Sequence, residues 1–378
     1  MDEQKLNRRH LLGGIAAAGA AGVLTAAGTR EAGAAQPATP DAGASQAPTI
    51  TTIKDKVVYV TGGSSGIGLG IAQVMHEAGA KVVIGNLDDR QWADALKKFP
   101  ANDPRLMTVV HNVMDKDGWQ RTADAIEKKF GPVDVLINNA GVGLQQSAST
   151  GTLNDWEWGM GVNFFGPVYG INTFVPRMRA RGTGAHIVTT TSTSGIVPNS
   201  GAGIYSVSKI AAVGLMEVLR AELGGTNIGT TCFVPGQTTS NIGESESHRP
   251  EDLRNTAAAT AGAPRAGGPA GARGAGGAPR PAPAAPPSPY WTRPQDPVVV
   301  GRVVLDAILH NDLFVVLQPE WKPGYEARAN ALLESMVPLQ PVPESIASAP
   351  ADRYLRTPIY AQEIAHRRAT RNRKVEGI

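Results

Sequence analysis

This sequence of 378 residues contains one cysteine, few aromatic residues and almost no excess of charge of either sign. The single cysteine, Cys232, excludes an intramolecular disulfide framework and any cysteine-rich metal site. The 36 lysines and arginines nearly balance the 33 aspartates and glutamates. The sequence therefore lacks the excess of positive charge that is typical of nucleic-acid-binding proteins. Because the seven histidines show no metal-ligand spacing, we expect no metal site.

The first 35 residues are typical of an export signal. Lys5, Arg8 and Arg9 form a basic start, and residues 11–29 follow without a charged side chain. Residues 7–12, Asn-Arg-Arg-His-Leu-Leu, resemble a twin-arginine signal, and a small-residue cleavage pattern follows at 32–34. We therefore predict a signal peptide over 1–35, a Pro/Ala/Ser-rich linker over 36–53 and a periplasmic or otherwise exported protein. The alternative is a leader that is not used, which would leave the protein in the cytoplasm.

Between residues 54 and 340, short β-branched runs alternate with helical stretches. The predicted strands are 57–60, 81–84, 106–110, 133–137, 186–190, 230–234 and 314–317. Continuous apolar runs favour strands that are covered on both faces. Strand–helix alternation of this kind predicts a single α/β domain with a doubly wound parallel sheet, in which Cys232 is a buried core residue.

Two segments do not fit this alternation. Residues 257–289 comprise 13 Ala, 7 Gly, 8 Pro and five other residues, none of them acidic. Such a segment buries too little apolar surface to offset the entropy of ordering, so we predict a disordered surface insertion; a lid that orders over the substrate is the alternative. Residues 341–378 are polar with a basic end, which predicts a solvated tail or, alternatively, a contact with a partner subunit or anionic lipid.

A glycine-rich turn, Thr-Gly-Gly-Ser-Ser-Gly-Ile-Gly at 61–68, follows the first predicted strand and opens a helix. Glycines let the backbone approach a pyrophosphate, and a helix N-terminus offers free N–H groups and the positive end of its dipole. The turn residues expected to bind a dinucleotide are Gly62, Ser64, Ser65, Gly66, Ile67 and Gly68.

The Thr-Gly-x3-Gly-x-Gly spacing of this turn resembles the short-chain dehydrogenase/reductase family. Further motifs of that family follow in order: Asn-Asn-Ala-Gly at 138–141, Ser192, and Tyr-x3-Lys from Tyr205 to Lys209, with Ser192 13 residues before the tyrosine. The resemblance covers about 54–336 and implies a Rossmann fold, an NAD(P) cofactor, a small-molecule alcohol or ketone as substrate and a homodimer or homotetramer. Two parts of the chain, 155–167 with 178–182 and 306–328, are similar to bacterial Cα-dehydrogenases that oxidise benzylic alcohols of lignin-derived aryl ethers.

The resemblance also implies catalytic roles. Tyr205 would exchange a proton with the substrate oxygen, and Ser192 would hydrogen-bond that oxygen. Lys209, on the same helix face as Tyr205, would hold the ribose, and Asn163 would order a water that relays the proton. We expect the adjacent ammonium and an oxidised nicotinamide to lower the pKa of Tyr205 from ~10 towards working pH.

The residue after the second strand determines which nicotinamide cofactor is preferred. The resemblance places Asn86 at the family's position for the acid that binds the ribose, so a 2′-phosphate would meet no repulsion there, and Arg90 could reach a phosphate. It also places Asn112 where the family has an aspartate on the adenine side. We therefore favour NADP slightly over NAD. The other expected cofactor contacts are Asn139, Ala140, Gly141, Tyr205, Lys209, Pro235, Gly236 and Thr238.

Two functions fit these motifs: an NAD(P)-dependent alcohol dehydrogenase or carbonyl reductase, and a non-catalytic dinucleotide-binding sensor on the same fold. The complete Ser192, Tyr205 and Lys209 set favours the enzyme, because a sensor needs no proton relay. Trp156 and Trp158 fit an aromatic substrate wall or helix packing, and helix packing is the favoured interpretation.

Overall fold

Seven strands form one parallel sheet in the computed structural model, which describes residues 44–256, 294–336 and 358–375. The strands are β1 Val57–Thr61, β2 Lys81–Asn86, β3 Leu106–Val110, β4 Val135–Asn138, β5 Ala185–Thr190, β6 Ile228–Val234 and β7 Phe314–Val316. Their spatial order is β3-β2-β1-β4-β5-β6-β7. The order reverses between β1 and β4, the switch point where doubly wound sheets bind ligands. The predicted fold and all seven predicted strands are confirmed.

Helices connect the strands and cover both faces of the sheet. They are α1 Gly66–Glu77, α2 Trp92–Leu96, α3 Lys116–Phe130, α4 Leu153–Met160, α5 Gly166–Arg181, α6 Thr193–Ile196, α7 Gly203–Leu223, α8 Pro297–His310, α9 Lys322–Glu334 and α10 Pro358–Ala369. A π-helix, Gly161–Phe165, joins α4 to α5. The predicted signal peptide and the predicted insertion lie outside the described residues.

Neighbouring residues of β1 show why the strands read as continuous apolar runs. Val58 belongs to a buried cluster with Ile71 of α1, whereas Tyr59 belongs to a second cluster with Trp119 of α3. Both faces of the central strands are therefore buried, and polar residues do not alternate with apolar ones. Cys232 is buried in β6 as predicted, and burial raises the pKa of its thiol to about 12.

The helix over 200–223, which contains α7, is by length and composition apolar enough to cross a membrane, the one such helix in the part of the chain that is described. Its inner side chains Met216, Leu219 and Leu223 belong to the core cluster that covers one face of the sheet. We therefore assign α7 to the core of the domain.

Residues 44–53 do not form the predicted linker. The Gln46 side-chain amide donates to the carbonyl oxygens of Leu223, Thr226 and Ile228, and Ile50 and Ile53 are buried. The linker prediction for 36–53 is wrong over these residues, because their partners lie far along the chain and composition does not reveal them. Residues 36–43 lie outside the described part.

The C-terminal residues 358–375 pack on the domain instead of forming a solvated tail. Asp312, which follows α8 and is 1% exposed, accepts hydrogen bonds from His366, Arg367 and Arg373. The Glu363 carboxylate accepts two backbone N–H groups at the start of β7. The prediction of a solvated tail over 341–378 is therefore wrong for this part, since its basic residues neutralise a buried carboxylate.

Candidate active site

The glycine-rich turn between β1 and α1 lies against the chain that leaves β4. Gly62 has a φ of +63°, and a Cβ there would lie 2.9 Å from the Ala140 Cα. A Cβ at Gly68 would lie 2.2 Å from the Gly62 carbonyl oxygen. Both positions therefore require glycine for the turn to close in this form.

The N-terminus of α1 is open towards a ligand. Its N-cap residue, Ser65, makes no side-chain cap, and the first turn contains no acidic residue. The N–H groups of this turn are suited to a phosphate, as the sequence predicts. Ser64, which was also expected to contact the dinucleotide, instead donates its hydroxyl to Gln91 Oε1 at 3.1 Å.

Asn139 ties the glycine-rich turn to the ends of β1 and β5. Its Nδ2 donates to the Thr61 carbonyl oxygen at 3.1 Å, and its Oδ1 accepts from the Thr190 hydroxyl at 3.2 Å. The backbone N–H groups of Asn139 and Ala140 both donate to Thr61 Oγ1 at 3.0 Å. These bonds fix the wall of a cleft at the carboxyl ends of the central strands.

Three predicted catalytic side chains meet at one end of this cleft. Tyr205 and Lys209 lie on α7, and Ser192 is the N-cap residue of α6 directly after β5. The Lys209 Nζ lies 5.6 Å from the centroid of the Tyr205 ring and donates to the Thr190 carbonyl oxygen at 3.0 Å. A side-chain hydrogen bond joins Ser192 to Tyr205.

Burial dominates the ionisation of this group. It raises the pKa of Tyr205, and the hydrogen bond with Ser192 lowers that pKa in part. Burial also lowers the pKa of Lys209 to about 8. The direction at Tyr205 is opposite to the one expected from an adjacent ammonium, because desolvation of the phenolate is the largest cause and the lowering comes from Ser192, not from Lys209.

Asn163 uses its side chain within the fold. Its Oδ1 accepts from the Val142 N–H at 2.9 Å, and its Nδ2 donates to the Val142 carbonyl at 3.0 Å and to Ser208 Oγ at 3.2 Å. The residue is buried in the π-helix and does not line the cleft. The side chain therefore holds the loop after β4 against α7 and donates its amide hydrogens within the fold.

A cavity of about 220 Å³ joins the glycine-rich turn to the catalytic group. Most of the predicted site residues line it: Gly62, Ser65, Gly66, Ile67, Asn86, Asn112, Asn139, Ala140, Gly141, Tyr205, Lys209 and Pro235. The predicted residues that do not line it are Ser64, Gly68, Asn163, Ser192, Gly236 and Thr238.

Gly236 and Thr238 shape the turn after β6 from outside the cavity. A Cβ at Gly236 would lie 2.3 Å from the Gln318 Cγ, so this side chain fills the space behind the turn. The Thr238 hydroxyl donates to the Gly236 carbonyl at 3.3 Å, and Thr238 pairs with Gln295 before α8. Both residues therefore support the position of Pro235.

At the end of β2, Arg90 is bound to a neighbouring carboxylate. Its Nε donates to Asp88 Oδ2 at 2.9 Å, and this pairing holds the pKa of Asp88 below its usual value. The Asn86 side chain donates to the Asp88 carbonyl at 3.1 Å. Asp88 lines the cavity and Arg90 does not, so the geometry gives the expected phosphate contact of Arg90 no support. The Asp-Asp-Arg run after the second strand was the signal that could have revealed Asp88.

The segment after β6 supplies a further part of the cavity wall, which the sequence did not predict. Ile242, Ser245, His248 and Pro250 line the cavity there. Trp158 is 2% exposed and also lines it, so this side chain both packs in the core and forms part of the wall. In the described ranges, no group of three or more His, Cys, Asp or Glu side chains could hold a metal ion.

Comparison with known proteins decides the family. A sequence profile of short chain dehydrogenases matches residues 56–251. The chain belongs to the short-chain dehydrogenase/reductase family. It is 31% identical over 296 residues to a C alpha-dehydrogenase of Sphingobium sp. strain SYK-6, and the alignment covers 77% of this chain and 90% of that protein. It is 37% identical over 165 residues to an NADP-dependent (R)-specific alcohol dehydrogenase of Lentilactobacillus kefiri, and this alignment covers 44% of this chain and 65% of that protein.

A short-chain dehydrogenase/reductase from Burkholderia phymatum, solved in complex with NAD, has a similar fold. The TM-score is 0.64 at 26% sequence identity, and the match covers 78% of this chain and all of that structure. The predicted oxidoreductase class and the nicotinamide dinucleotide cofactor are therefore confirmed. The open N-terminus of α1 and the close approach of Gly62 to Ala140 fit such a cofactor.

Proposed function

We propose that this short-chain dehydrogenase/reductase interconverts a secondary alcohol and a ketone, with Tyr205 as the proton carrier. The observation that carries the proposal is the meeting of Ser192, Tyr205 and Lys209 beside a cavity that also reaches the glycine-rich turn. Such a cavity brings a dinucleotide and an alcohol next to a group that can accept a proton.

In oxidation the alcohol loses a hydride from carbon and a proton from oxygen. The bound nicotinamide supplies the hydride acceptor, or the hydride donor in reduction. Tyr205 accepts the proton as the phenolate and returns it in reduction. Ser192 hydrogen-bonds Tyr205 and holds the substrate oxygen as charge develops on it. Lys209, fixed by the Thr190 carbonyl, offers a positive charge that lowers the free energy of the phenolate.

The wall of the cavity favours an aryl-substituted substrate. Val142, Trp158, Val162 and Ile242 contribute apolar side chains to the lining of the cavity. The similarity to the C alpha-dehydrogenase extends over most of both chains, which supports a benzylic alcohol as the substrate class. We retain a slight preference for NADP, on the ground that Asn86 places an amide where a carboxylate would repel a 2′-phosphate.

Turnover of a panel of alcohols by the purified protein tests this function. Secondary benzylic and secondary aliphatic alcohols are compared with NAD⁺ and with NADP⁺, and reduced nicotinamide is measured. We expect kcat/KM to be at least about tenfold higher for the benzylic alcohols, which is the discrimination that about 1.4 kcal/mol of added apolar contact provides. Nucleotide binding without turnover of any alcohol or ketone would favour the non-catalytic sensor instead.

We also propose that the chain forms a homo-oligomer through α7. The outward face of this helix carries uncharged side chains at helical spacing, and Val207 is 40% and Val218 56% exposed. Ile210, Ala211 and Gly214 lie between them, and Gly214 leaves room for close approach of a second helix. Sedimentation velocity tests this, since a monomer at all accessible concentrations would contradict it.

Export remains a proposal that rests on Arg8 and Arg9 in the N-terminal sequence. The twin-arginine route carries folded proteins, which suits an enzyme that binds its cofactor before export. Cell fractionation of the full chain and of an Arg8→Lys/Arg9→Lys variant, with extraction of bound nucleotide, measures it. Equal distribution of both proteins between compartments would contradict export by this route.

A further inference from the structure

Arg249 is a buried cation in the segment that follows β6. It lies between two short 3₁₀ helices, Ile242–His248 and Glu251–Leu253, and is 5% exposed. Its Nε and Nη2 donate to the two carboxylate oxygens of Glu246 at 2.7 and 2.6 Å. Its Nη2 also donates to Asp155 Oδ1 at 2.8 Å. A planar, two-pronged cation of this kind is held in one orientation.

Asp155, the partner on α4, connects this segment to the rest of the domain. The carboxylate is 2% exposed and accepts the Thr152 backbone N–H at 2.9 Å, which caps the start of α4. It also accepts the Asn255 side-chain amide at 2.8 Å. One carboxylate therefore fixes the first turn of α4, the guanidinium of Arg249 and the far end of the segment.

Trp158 extends this connection to the cavity. It lies three residues after Asp155, so both side chains share one face of α4. The Arg249 guanidinium lies over the indole ring, 4.2 Å from its centroid, and the same Trp158 lines the cavity. Arg249 thus contacts both Asp155 and a residue of the cavity wall.

The segment held by Arg249 supplies another part of the cavity wall. Ile242, Ser245 and His248 precede Arg249 along the chain, Pro250 follows it, and all four line the cavity. A second anchor lies at the start of the segment, where the Gly143 N–H donates to Ser245 Oγ at 2.9 Å. The part that faces α4 depends on Arg249, Arg254 and Asn255 for its polar contacts.

The charges in this cluster exclude direct recognition of an anionic substrate by Arg249. Its one positive charge faces two carboxylates, Glu246 and Asp155, at hydrogen-bonding distance. Arg249 does not itself line the cavity. Its effect on a ligand therefore passes through the residues that it holds in place.

We propose that Arg249 is a positioning residue for the substrate end of the site. Its ion pair with Asp155 and its stacking on Trp158 hold the segment 241–256 over the cavity and fix the indole as a wall. The proposal rests on the proposed function, because it assigns the substrate to this end of the cavity. It implies that Arg249 sets the affinity for bulky aryl substrates and leaves the proton transfer at Tyr205 unaltered.

Replacement of Arg249 tests the proposal on the full chain. Arg249→Met keeps much of the side-chain volume, Arg249→Lys keeps the charge but loses the planar fork, and Arg177→Met is the control. Arg177 also pairs with two carboxylates, Asp124 and Glu127, but both lie on α3, and neither they nor Arg177 line the cavity. Three quantities are measured: KM and kcat for a benzylic and a small aliphatic alcohol, the Kd of NADPH, and amide hydrogen exchange over 241–256.

We expect Arg249→Met to raise KM for the benzylic alcohol by about 10- to 100-fold, which corresponds to about 1.4–2.8 kcal/mol of lost contact between the substrate and the wall. We expect kcat, the Kd of NADPH and the kinetics of the small alcohol to stay within a factor of about three, since a loss confined to binding changes KM alone. Exchange over 241–256 should accelerate in Arg249→Met, accelerate less in Arg249→Lys and remain unchanged in Arg177→Met.

Wild-type exchange over 241–256 in Arg249→Met would overturn the proposal, and so would equal loss for both alcohols. If Arg249→Met does not fold, Arg249→Lys is subject to the same comparison and the same criteria. The hydrogen-exchange measurement does not depend on turnover. If the wild-type protein oxidises no alcohol, the proposed function fails, while the exchange result still decides whether Arg249 holds the segment.

Discussion

Lys209 is buried and Tyr205 is partly buried beside the cavity, and each ionisable group is shifted towards its neutral form. Burial raises the pKa of Tyr205 and lowers the pKa of Lys209 to about 8. Lys209 is therefore charged at neutral pH although its burial disfavours the charge, and this lowers the free energy of unfolding of the domain. In the proposed mechanism, this charge stabilises negative charge on Tyr205 during proton transfer.

We predict that Lys209→Met is more stable than the wild type at pH 7 and inactive. The pKa of Lys209 lies below its ordinary value of 10.5, so in the window between about 8 and 10.5 the unfolded chain binds more protons and wild-type stability rises with pH. Below about pH 8 the buried Lys209 is fully charged, and its burial lowers the free energy of unfolding by up to about 3 kcal/mol. Urea unfolding at pH 7 and pH 10 measures it: the advantage of the variant should shrink at pH 10. A variant less stable than the wild type at pH 7 would show that the bond to Thr190 outweighs the burial of the charge.

At the end of β2, Asn86→Asp should shift the preference towards NAD. A carboxylate at this position repels a 2′-phosphate and accepts a hydrogen bond from a ribose hydroxyl. Charge-assisted contacts of roughly 1–3 kcal/mol correspond to a change of one to two decades in the NAD/NADP ratio of kcat/KM. Asn86→Ala is the control that removes the amide without adding charge. An unchanged ratio in Asn86→Asp would mean that Asp88 already governs this end of the cavity.

Among the elements, the strands were predictable and the segments at either end of the domain were not. Strands β1 to β7 are continuous apolar runs because helices cover both faces of the sheet, and this pattern is local. The glycine-rich turn and the Tyr-x3-Lys pair are local as well. Residues 44–53 and 358–375 are held by contacts such as Gln46 with Leu223 and Arg373 with Asp312, whose partners are distant in sequence.

The same reason explains which parts of the site were missed. Arg249 and Asp155 are 94 residues apart, and nothing in the sequence pairs them. The family position predicts Asn163 in the site, but only the structure shows that its amide hydrogens are donated to Val142 and Ser208. Chemistry carried by short motifs was therefore predictable, and the contacts that position it were not.

Removal of the charge of Asp312 should release α10. Burial alone would raise the pKa of Asp312, but hydrogen bonds and charges from Arg373, Arg367 and His366 outweigh it and hold the pKa below 3.8. Asp312→Asn should therefore cost about 3 kcal/mol of unfolding free energy at pH 7, the lower end for breaking a buried pair. The stabilisation is present above pH 4 and is lost as the pH falls through the pKa of the folded state.

Urea unfolding at pH 7 and in acid measures this difference. Asp94→Asn, which breaks an exposed pair with Lys97, serves as the control and should have little effect. An Asp312→Asn protein as stable as the wild type at pH 7 would mean that the C-terminal basic residues do not stabilise the domain through this carboxylate.

Deletion of 257–289 with a short Gly/Ser bridge should leave the protein folded and active. The segment has no apolar face, and the cost of loop closure changes only with the logarithm of its length. We expect Tm to change by no more than a few degrees and KM to stay the same. A raised KM for bulky substrates alone would favour the lid interpretation, and a collapse of Tm would contradict the prediction of a disordered insertion.

For the whole molecule, the parallel sheet determines where the chemistry takes place. The carboxyl ends of β1, β4 and β5 place Gly62, Asn139 and Thr190 around one cleft, and α7 brings Tyr205 and Lys209 to its side. Residues 44–53 hydrogen-bond to the chain at the amino ends of β5 and β6. Helix α10 hydrogen-bonds to the chain at the amino end of β7. The periphery therefore supports the sheet while the opposite edge remains open for a dinucleotide and a substrate.

The most direct test of the account compares the turnover of the wild type and Tyr205→Phe with a secondary benzylic alcohol and NADP⁺ or NAD⁺. The phenolic oxygen carries the proton, whereas the ring contributes packing alone. We predict that kcat falls by at least about 10²- to 10⁴-fold, the range typical of acid–base catalysis, while the Kd of the nucleotide is unchanged. A Tyr205→Phe protein that retains wild-type kcat would contradict the central claim that Tyr205 is the proton carrier of this oxidoreductase.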